Sequence, residues 1–329
     1  MLSFAAPRLP LLHGPTRLQS LPRLAVRLGA DKGLFVKRDD QMGIAIGGNK
    51  LRSLEFWLGA AQAEGADILL VGGTATSNLC RLTAAAAAIS DIECLILHNS
   101  DKSDISLGAS ALSHVFGARR RFLGAVDESA RATALAAEAE ALRSDGRRPY
   151  VIGDAATGAL GYALCAAELL AQDRAQGVGI SDVFLPGSMG PTEAGFLFGN
   201  ALLDAPYRVH LVSVEYDEAE LRRRIADIWA ALCRLTGLSP ALPPYRVDMR
   251  WLGAGYGAPT PAADAALVEF ACCEGLLLEE VYTAKTFAAF RAFAAAGEAE
   301  GAVCAIHTGG VPALFSQLDG LVARLGGDG

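Results

Sequence analysis

The sequence predicts an α/β fold with mainly parallel strands, built as two helix-flanked layers with a cleft between them. Short β-rich runs alternate with helix-length Ala/Leu-rich stretches from about residue 34 to 316. Most of the β-rich runs are short and apolar throughout, the pattern of strands buried on both faces. The chain has 329 residues, 52% apolar and 20% charged, and a single sheet of that length would be large, which favours two layers.

The elements follow in order. Leu34 to Arg38 reads as the first strand. Lys50 to Ala63 places Leu51, Leu54, Leu58 and Ala61 on one helical face. Ile68 to Val71 is a strand and Asn78 to Ile89 a helix. Cys94 to Leu97 and Arg121 to Leu123 are strands, followed by a helix at Glu128 to Leu142 and a strand at Tyr150 to Ile152. The pattern continues with a helix at Gly161 to Asp173, a strand at Asp182 to Leu185 and a helix at Glu193 to Leu203. Val209 to Val214 is a strand, Glu218 to Leu235 a helix, and Pro-rich Leu238 to Tyr245 a surface connection. Ala263 to Glu274 is a helix and Val303 to Ile306 the last strand.

Composition narrows the function. Net charge is −7, and the only basic clusters are Arg119 to Arg121 and Arg222 to Arg224, so nucleic acid is not expected as a partner. No apolar run approaches the roughly 20 residues of a membrane span, and Met1 to Phe4 lacks a charged segment ahead of an apolar one. A cytoplasmic protein is expected. Seven cysteines at irregular, mostly apolar positions read as buried free thiols. Five scattered histidines without His-x-x-x-His or Cys-x-x-Cys spacing give a metal site no support.

Lysine is scarce, with only five among 29 basic residues. Lys50 stands apart because it follows Gly47-Gly48-Asn49 and opens a helix. There the helix dipole and burial both favour a neutral amine, the form that makes a Schiff base. A solvated first-turn lysine is the plain alternative. Three further turns stand at strand ends. Gly72 to Asn78 offers backbone N–H groups and hydroxyls suited to a carboxylate or phosphate, or an ordinary N-cap. Pro186 to Thr192 lacks both a P-loop lysine and dinucleotide glycine spacing. His307 to Gly310 ends the last strand and presents Thr308 at its carboxyl end. Together they are consistent with a phosphorylated, aldehyde-bearing cofactor.

These residues carry a resemblance. The chain resembles the pyridoxal-phosphate enzymes of the 1-aminocyclopropane-1-carboxylate deaminase and D-cysteine desulfhydrase group. The match runs nearly end to end, from Pro10 to Thr16 and Val36 to Asp40 to the His307-Thr308-Gly309-Gly310 turn. Its most specific piece is Gly47-Gly48-Asn49-Lys50-Leu51-Arg52-Ser53-Leu54-Glu55. Ser77-Asn78, Gly190 to Gly195, Gly255-Tyr256-Gly257 and Val281 to Lys285 come after it in family order.

The resemblance implies the two-domain, type II pyridoxal-phosphate fold, with parallel twisted sheets flanked by helices and the cofactor in the interdomain cleft. Residues 1–52 and 159–329 would form the large domain and 53–158 a small mobile one. Lys50, beside Asn49, would hold pyridoxal 5'-phosphate as a Schiff base, yield it to the substrate amine and then transfer protons. Ser188, Met189, Gly190, Pro191 and Thr192 would bind the phosphate. Asn78 would meet the ring hydroxyl, and Ser77 the substrate carboxylate or reacting carbon. Tyr256 and Tyr282 would flank the substrate, and a homodimer is implied.

Two positions separate the branches. The deaminases have Glu after the second tyrosine and Leu in the last turn, where this chain has Thr283 and Thr308, as the desulfhydrases do. A neutral hydroxyl leaves the pyridine nitrogen largely unprotonated, which suits loss of a leaving group from Cβ better than ring opening. The expected activity is therefore α,β-elimination on a small amino acid, releasing ammonia and a 2-oxo acid. β- or γ-replacement, cyclopropane ring opening and a catalytically silent paralogue stay open. Departures from the family are Thr76 and Leu79 in place of Gln and His or Gln around Ser77-Asn78, Pro191 without an N–H, and Glu279-Glu280 for Asp-Pro. Were Thr76 and Leu79 to line the substrate site, they would favour a larger or less polar substrate.

Overall fold

The apolar runs pair into two separate sheets. The computed structural model describes residues 2–102 and 109–326. In chain order the elements are β1 (Leu18–Ser20), α1 (Pro22–Leu28), β2 (Leu34–Lys37), a 3-10 turn at Asp39–Gln41, α2 (Lys50–Ala63), β3 (Ile68–Gly73), α3 (Asn78–Ile89) and β4 (Glu93–His98). Then come α4 (Ala109–Val115), β5 (Arg119–Phe122), α5 (Glu128–Ser144), β6 (Pro149–Val151), α6 (Ala155–Gln176), β7 (Ile180–Gly187), α7 (Pro191–Leu202) and β8 (Arg208–Ser213). The chain ends with α8 (Glu218–Thr236), β9 (Tyr245–Asp248), α9 (Pro261–Glu274), α10 (Thr283–Ala296), β10 (Ala302–Ile306) and α11 (Val311–Arg324).

The larger sheet has the order β1-β2-β10-β7-β8-β9, parallel except for the β1–β2 pair. The smaller sheet, β5-β4-β3-β6, is wholly parallel. This is the mixed α/β architecture expected of the fold. Each sheet is covered on both faces. One cluster around Leu169, Val183, Phe198 and Leu211 packs under α6 to α8, and another around Val36, Phe184, Phe270 and Phe287 packs under α9 and α10. On the smaller sheet, Leu54, Val71 and Leu82 belong to one cluster and Leu70, Leu97 and Leu135 to the other. Double coverage explains why the strands read as continuous apolar runs. Helices α6 and α7 touch almost backbone to backbone, since a Cβ on Gly195 would stand 2.1 Å from the Ala159 carbonyl oxygen.

Several expectations need correction. The helix expected at Gly161 to Asp173 begins at Ala155, capped by Asp154, whose carboxylate accepts from the Thr157 N–H at 2.8 Å. Tyr245 belongs to strand β9, not to the Pro-rich connection. Elements β1, α1, α4, β9, α10 and α11 were not expected. The first three are short, and α10 is buried on most sides, so it shows no apolar stripe. Helix α2 is buried nearly all round rather than amphipathic, with Arg52, Glu55, Phe56 and Trp57 inside as well as the predicted leucines. Of the seven free thiols five are buried, Cys233 is partly exposed and Cys272 is exposed.

Candidate active site

The predicted turns converge at the carboxyl ends of parallel strands, the usual location of sites in such sheets. In the loop before α2, Ala45, Ile46 and Gly47 all have positive φ, at 48°, 63° and 63°. Gly48 then lies so close to the turn after β10 that a Cβ on Gly309 would stand 2.6 Å from its Cα. Asn49 ties three turns together: its backbone N–H donates to the Thr308 carbonyl at 2.9 Å and its Nδ2 donates to Thr192 Oγ1 at 3.0 Å.

Lys50 is the first residue of α2 and is partly buried. Among the described residues its Nζ has no hydrogen-bond partner. Loss of hydration lowers its pKa below the ordinary lysine value, against the opposing charges of Glu193 and Glu215. Ser77 caps α3, its hydroxyl accepting from the Cys80 N–H at 3.3 Å and lying within reach of the Cys80 thiol. Asn78 is next; its Oδ1 accepts from Arg81 Nη2 at 3.1 Å. Thr76 is exposed and paired with Thr74 at 3.3 Å, whereas Leu79 is half-buried against the apolar cluster of α2, α3 and β3.

The turn from Ser188 to Thr192 joins β7 to α7 with Gly190 at φ 104°. Ser188 and Thr192 are buried, Met189 is 36% exposed and Pro191 intermediate. The Ser188 N–H donates to the Glu193 carboxylate and its hydroxyl to Glu215. Glu193 is 2% exposed, and burial raises its pKa against the hydrogen bonds it accepts from the turn and the charge of Lys50.

Tyr256 and Tyr282 share a hydroxyl–hydroxyl hydrogen bond of 2.6 Å. Loss of hydration raises both pKa values, Tyr256 to about 12 and Tyr282 well above the ordinary tyrosine value, so both hydroxyls keep their protons at neutral pH. Thr308 is buried in the turn after β10. Thr283 Oγ1 accepts from the Glu279 N–H at 2.8 Å and lies 3.2 Å from both the carbonyl and Oε1 of that residue. Glu279 in turn accepts the N–H groups of Val281, Tyr282 and Thr283, and so caps α10. A Cβ on Gly310 would press on Glu279 Cγ at 2.4 Å and Asn78 Nδ2 at 3.3 Å, so these two residues meet at one glycine.

Sequence reasoning missed the support behind Lys50. Arg52 donates to Asp39, Glu168 and Thr16 at 2.8 to 3.1 Å, Tyr162 donates to Asp39 at 2.7 Å, and Lys37 donates to Thr16 O, Gln172 and Glu168. The strings Pro10 to Thr16 and Val36 to Asp40 contribute Thr16, Lys37 and Asp39 to this network. Also missed were Arg81, Glu193, Glu215 and Glu279. Arg81, three residues after Asn78, was visible as the helical neighbour able to reach it. The cavity of about 260 Å³ lined by Phe184, His210, Asp248 and Phe293 shares no residue with this cluster.

The family model for pyridoxal-phosphate dependent enzymes matches residues 9–309. The chain belongs to that family. The enzyme is 36% identical to a D-cysteine desulfhydrase of Salmonella choleraesuis over 325 residues, covering 94% of this chain and 96% of the relative. A D-cysteine desulfhydrase of Salmonella paratyphi C matches equally, at 36% and the same coverage. A solved structure described as an ACC deaminase homologue superposes with a TM-score of 0.90 at 28% identity, over 97% of this chain and 96% of that one. An O-ureido-L-serine synthase shares the fold at a TM-score of 0.71 and 16% identity, over 97% and 98% of the two chains.

The residues present fit the cofactor. Lys50 offers an unpartnered amine of lowered pKa, and Asn78 an Nδ2 with no acceptor among the described residues. The turn at the start of α7 lies at a helix N-terminus with the Thr192 hydroxyl in its first turn, while Glu193 takes the Ser188 N–H.

Proposed function

We propose that this enzyme is a lyase of the D-cysteine desulfhydrase type, which removes a leaving group from Cβ of a small amino acid and releases ammonia and a 2-oxo acid. The observation that carries the reading is an amine of lowered pKa at Lys50, without a hydrogen-bond partner among the described residues, that feels the charge of Glu215 as the hydrogen-bonded Tyr256–Tyr282 pair does. The desulfhydrase relatives at 36% identity support the same chemistry.

Bound pyridoxal phosphate supplies the electron sink that makes an attached amino acid's Cα–H acidic. Lys50 would hold the cofactor and, once released, move the Cα proton, a role that a pKa lowered from the ordinary lysine value favours. Ser77 and the first turn of α3 would bind the substrate carboxylate, while Asn78 donates to the ring hydroxyl. Tyr282 would hand a proton to the leaving group and be replenished by Tyr256; both are protonated at neutral pH, as a donor must be. Asn49 and the Ser188 to Thr192 turn would hold the phosphate. Thr283 and Thr308 would face the ring nitrogen as uncharged neighbours, which suits elimination. Leu79 packs against the core, which gives no support to an enlarged substrate site.

We infer further that residues 53–158, which include the whole smaller sheet, close on the remainder as a small domain and bring Ser77 and Asn78 onto the substrate. A homodimer is supported by the exposed apolar stripe of Phe315, Leu318 and Val322 along α11, continued by Leu325 just after it. Seven free thiols support a cytoplasmic setting, and no helix among the described residues is long and apolar enough to cross a membrane.

The test is product analysis. The holoenzyme is given D- and L-cysteine, β-chloroalanine, O-acetylserine and 1-aminocyclopropane-1-carboxylate, with ammonia and oxo acid assayed. Oxo-acid release from one enantiomer of a β-substituted substrate, with no second substrate, is expected. Turnover only when a nucleophile is added would mean replacement chemistry instead.

A further inference from the structure

Arg81, in α3, is 0% exposed and has no carboxylate within ion-pair distance among the described residues. Its Nη1 donates to the Ala45 carbonyl, its Nη2 to the Gly47 carbonyl and Asn78 Oδ1, both at 3.1 Å, and its Nε has no partner. Burial pulls its pKa down, to about 10, which still leaves it charged at neutral pH. A buried charge without a counter-ion is costly and persists where something else compensates it. Two features show what the guanidinium holds. The carbonyls it binds belong to a loop in which Ala45 and Ile46 adopt left-handed backbone that non-glycine residues disfavour, directly ahead of Lys50. The amide it binds is that of Asn78, and a guanidinium, being only a donor, fixes which end of an amide faces it.

We propose that Arg81 is the positioning residue of the cofactor site: it turns the Asn78 amide so that Nδ2 points away from the guanidinium and toward the cofactor, and pins the strained loop that sets Lys50. The proposal rests on the reading of Lys50 and Asn78 as cofactor residues. It assigns Arg81 no contact with the reacting atoms. Its influence passes through a hydrogen bond that polarises the amide and strengthens Nδ2–H as a donor. The interaction so strengthened is with the ring hydroxyl oxygen.

A thermodynamic cycle tests this with a ligand that lacks that oxygen. Cofactor-free protein is titrated with pyridoxal 5'-phosphate and with its 3-deoxy analogue, in the wild type and in Arg81→Met, Arg81→Lys and Asn78→Ala. The wild type should prefer the natural cofactor by about tenfold or more, the size of one hydrogen bond to a charged oxygen. Arg81→Met and Asn78→Ala should both lose that preference, and Arg81→Lys, which keeps the charge without the fork, should retain part of it. Were Arg81 only a structural residue, Arg81→Met would weaken both ligands alike and keep the wild-type ratio, which overturns the proposal, as does a wild type without any preference. Should Arg81→Met not fold, Arg81→Lys decides: a full wild-type ratio there overturns the proposal and a reduced one sustains it. Borohydride trapping of each ligand on wild-type Lys50 separates the two levels. An unlabelled Lys50 refutes the cofactor reading itself, whereas a labelled Lys50 with an unchanged ratio refutes only the role of Arg81.

Discussion

Replacing Arg52 by Met probes the buried charges that fasten the start of α2. Arg52 is 2% exposed and Asp39 0%, and the guanidinium donates to Asp39 through Nε and Nη2, both at 2.8 Å, and to Glu168 through Nη1 at 2.9 Å. Removing one partner of such a pair leaves the other charge buried and only partly compensated, which costs about 3 to 5 kcal/mol. The pH dependence follows from the carboxylates. Burial alone would raise the pKa of Asp39, but Arg52, with Lys37 and Tyr162, holds it below the usual value, and Arg52 and Lys37 do the same for Glu168. The native protein therefore carries this stabilisation in full above the ordinary carboxylate range and loses it as pH falls through the lowered values. In the variant, desolvation dominates and Asp39 takes up a proton at higher pH. The gap in urea-unfolding free energy should be about 3 to 5 kcal/mol at pH 7 and narrow steadily below about pH 5. Asp39→Asn added to Arg52→Met should recover part of the loss. A gap under about 1 kcal/mol, the size of a surface pair, or one that does not change with pH, would refute the reasoning.

Three further outcomes are expected. Gly195→Ala drives a methyl group into the Ala159 carbonyl and should cost about 1 to 3 kcal/mol, read as a lower urea midpoint; an unchanged midpoint would mean α6 and α7 are not held that close. Tyr282→Phe should keep the cofactor's visible band and lower kcat about 100-fold or more, seen in steady-state ammonia release; near-normal kcat would remove Tyr282 from proton transfer. Glu193→Gln should be more stable than the wild type at pH 7, because a buried carboxylate with raised pKa destabilises the folded state as pH rises above its unfolded value, and the two should converge near pH 4; equal stability across pH 4 to 8 would show that Glu193 titrates normally.

Much of the candidate site was legible because it lies in short contiguous strings at strand ends. Lys50 after two glycines, Ser77-Asn78 and the turn from Ser188 to Thr192 each announce a turn followed by a helix, and Asn49 joins its own turn to the Thr192 turn and to the Thr308 turn by hydrogen bonds. What escaped is what only burial creates. Arg81 reads as an ordinary helical arginine until packing leaves it with no carboxylate in reach among the described residues. Arg52 and Glu55 look like the polar side of an amphipathic helix, yet both are inside, satisfied by Asp39 and Glu168 in one case and by Arg8, Leu11 and Leu12 in the other. The strands were legible because double coverage leaves unbroken apolar runs. Helix α10 was not, because burial on most sides erases the 3.6-residue pattern that marks a surface helix.

The central claim is that Lys50 is the residue that bonds to the cofactor. The most direct measurement is borohydride reduction of the protein with pyridoxal phosphate, followed by proteolysis and mass spectrometry of all five lysine-bearing peptides. The account predicts one reduced cofactor per chain, on the Lys50 peptide alone, and none after Lys50→Ala. A label on Lys37, Lys285 or another lysine, or label undiminished in Lys50→Ala, would contradict it.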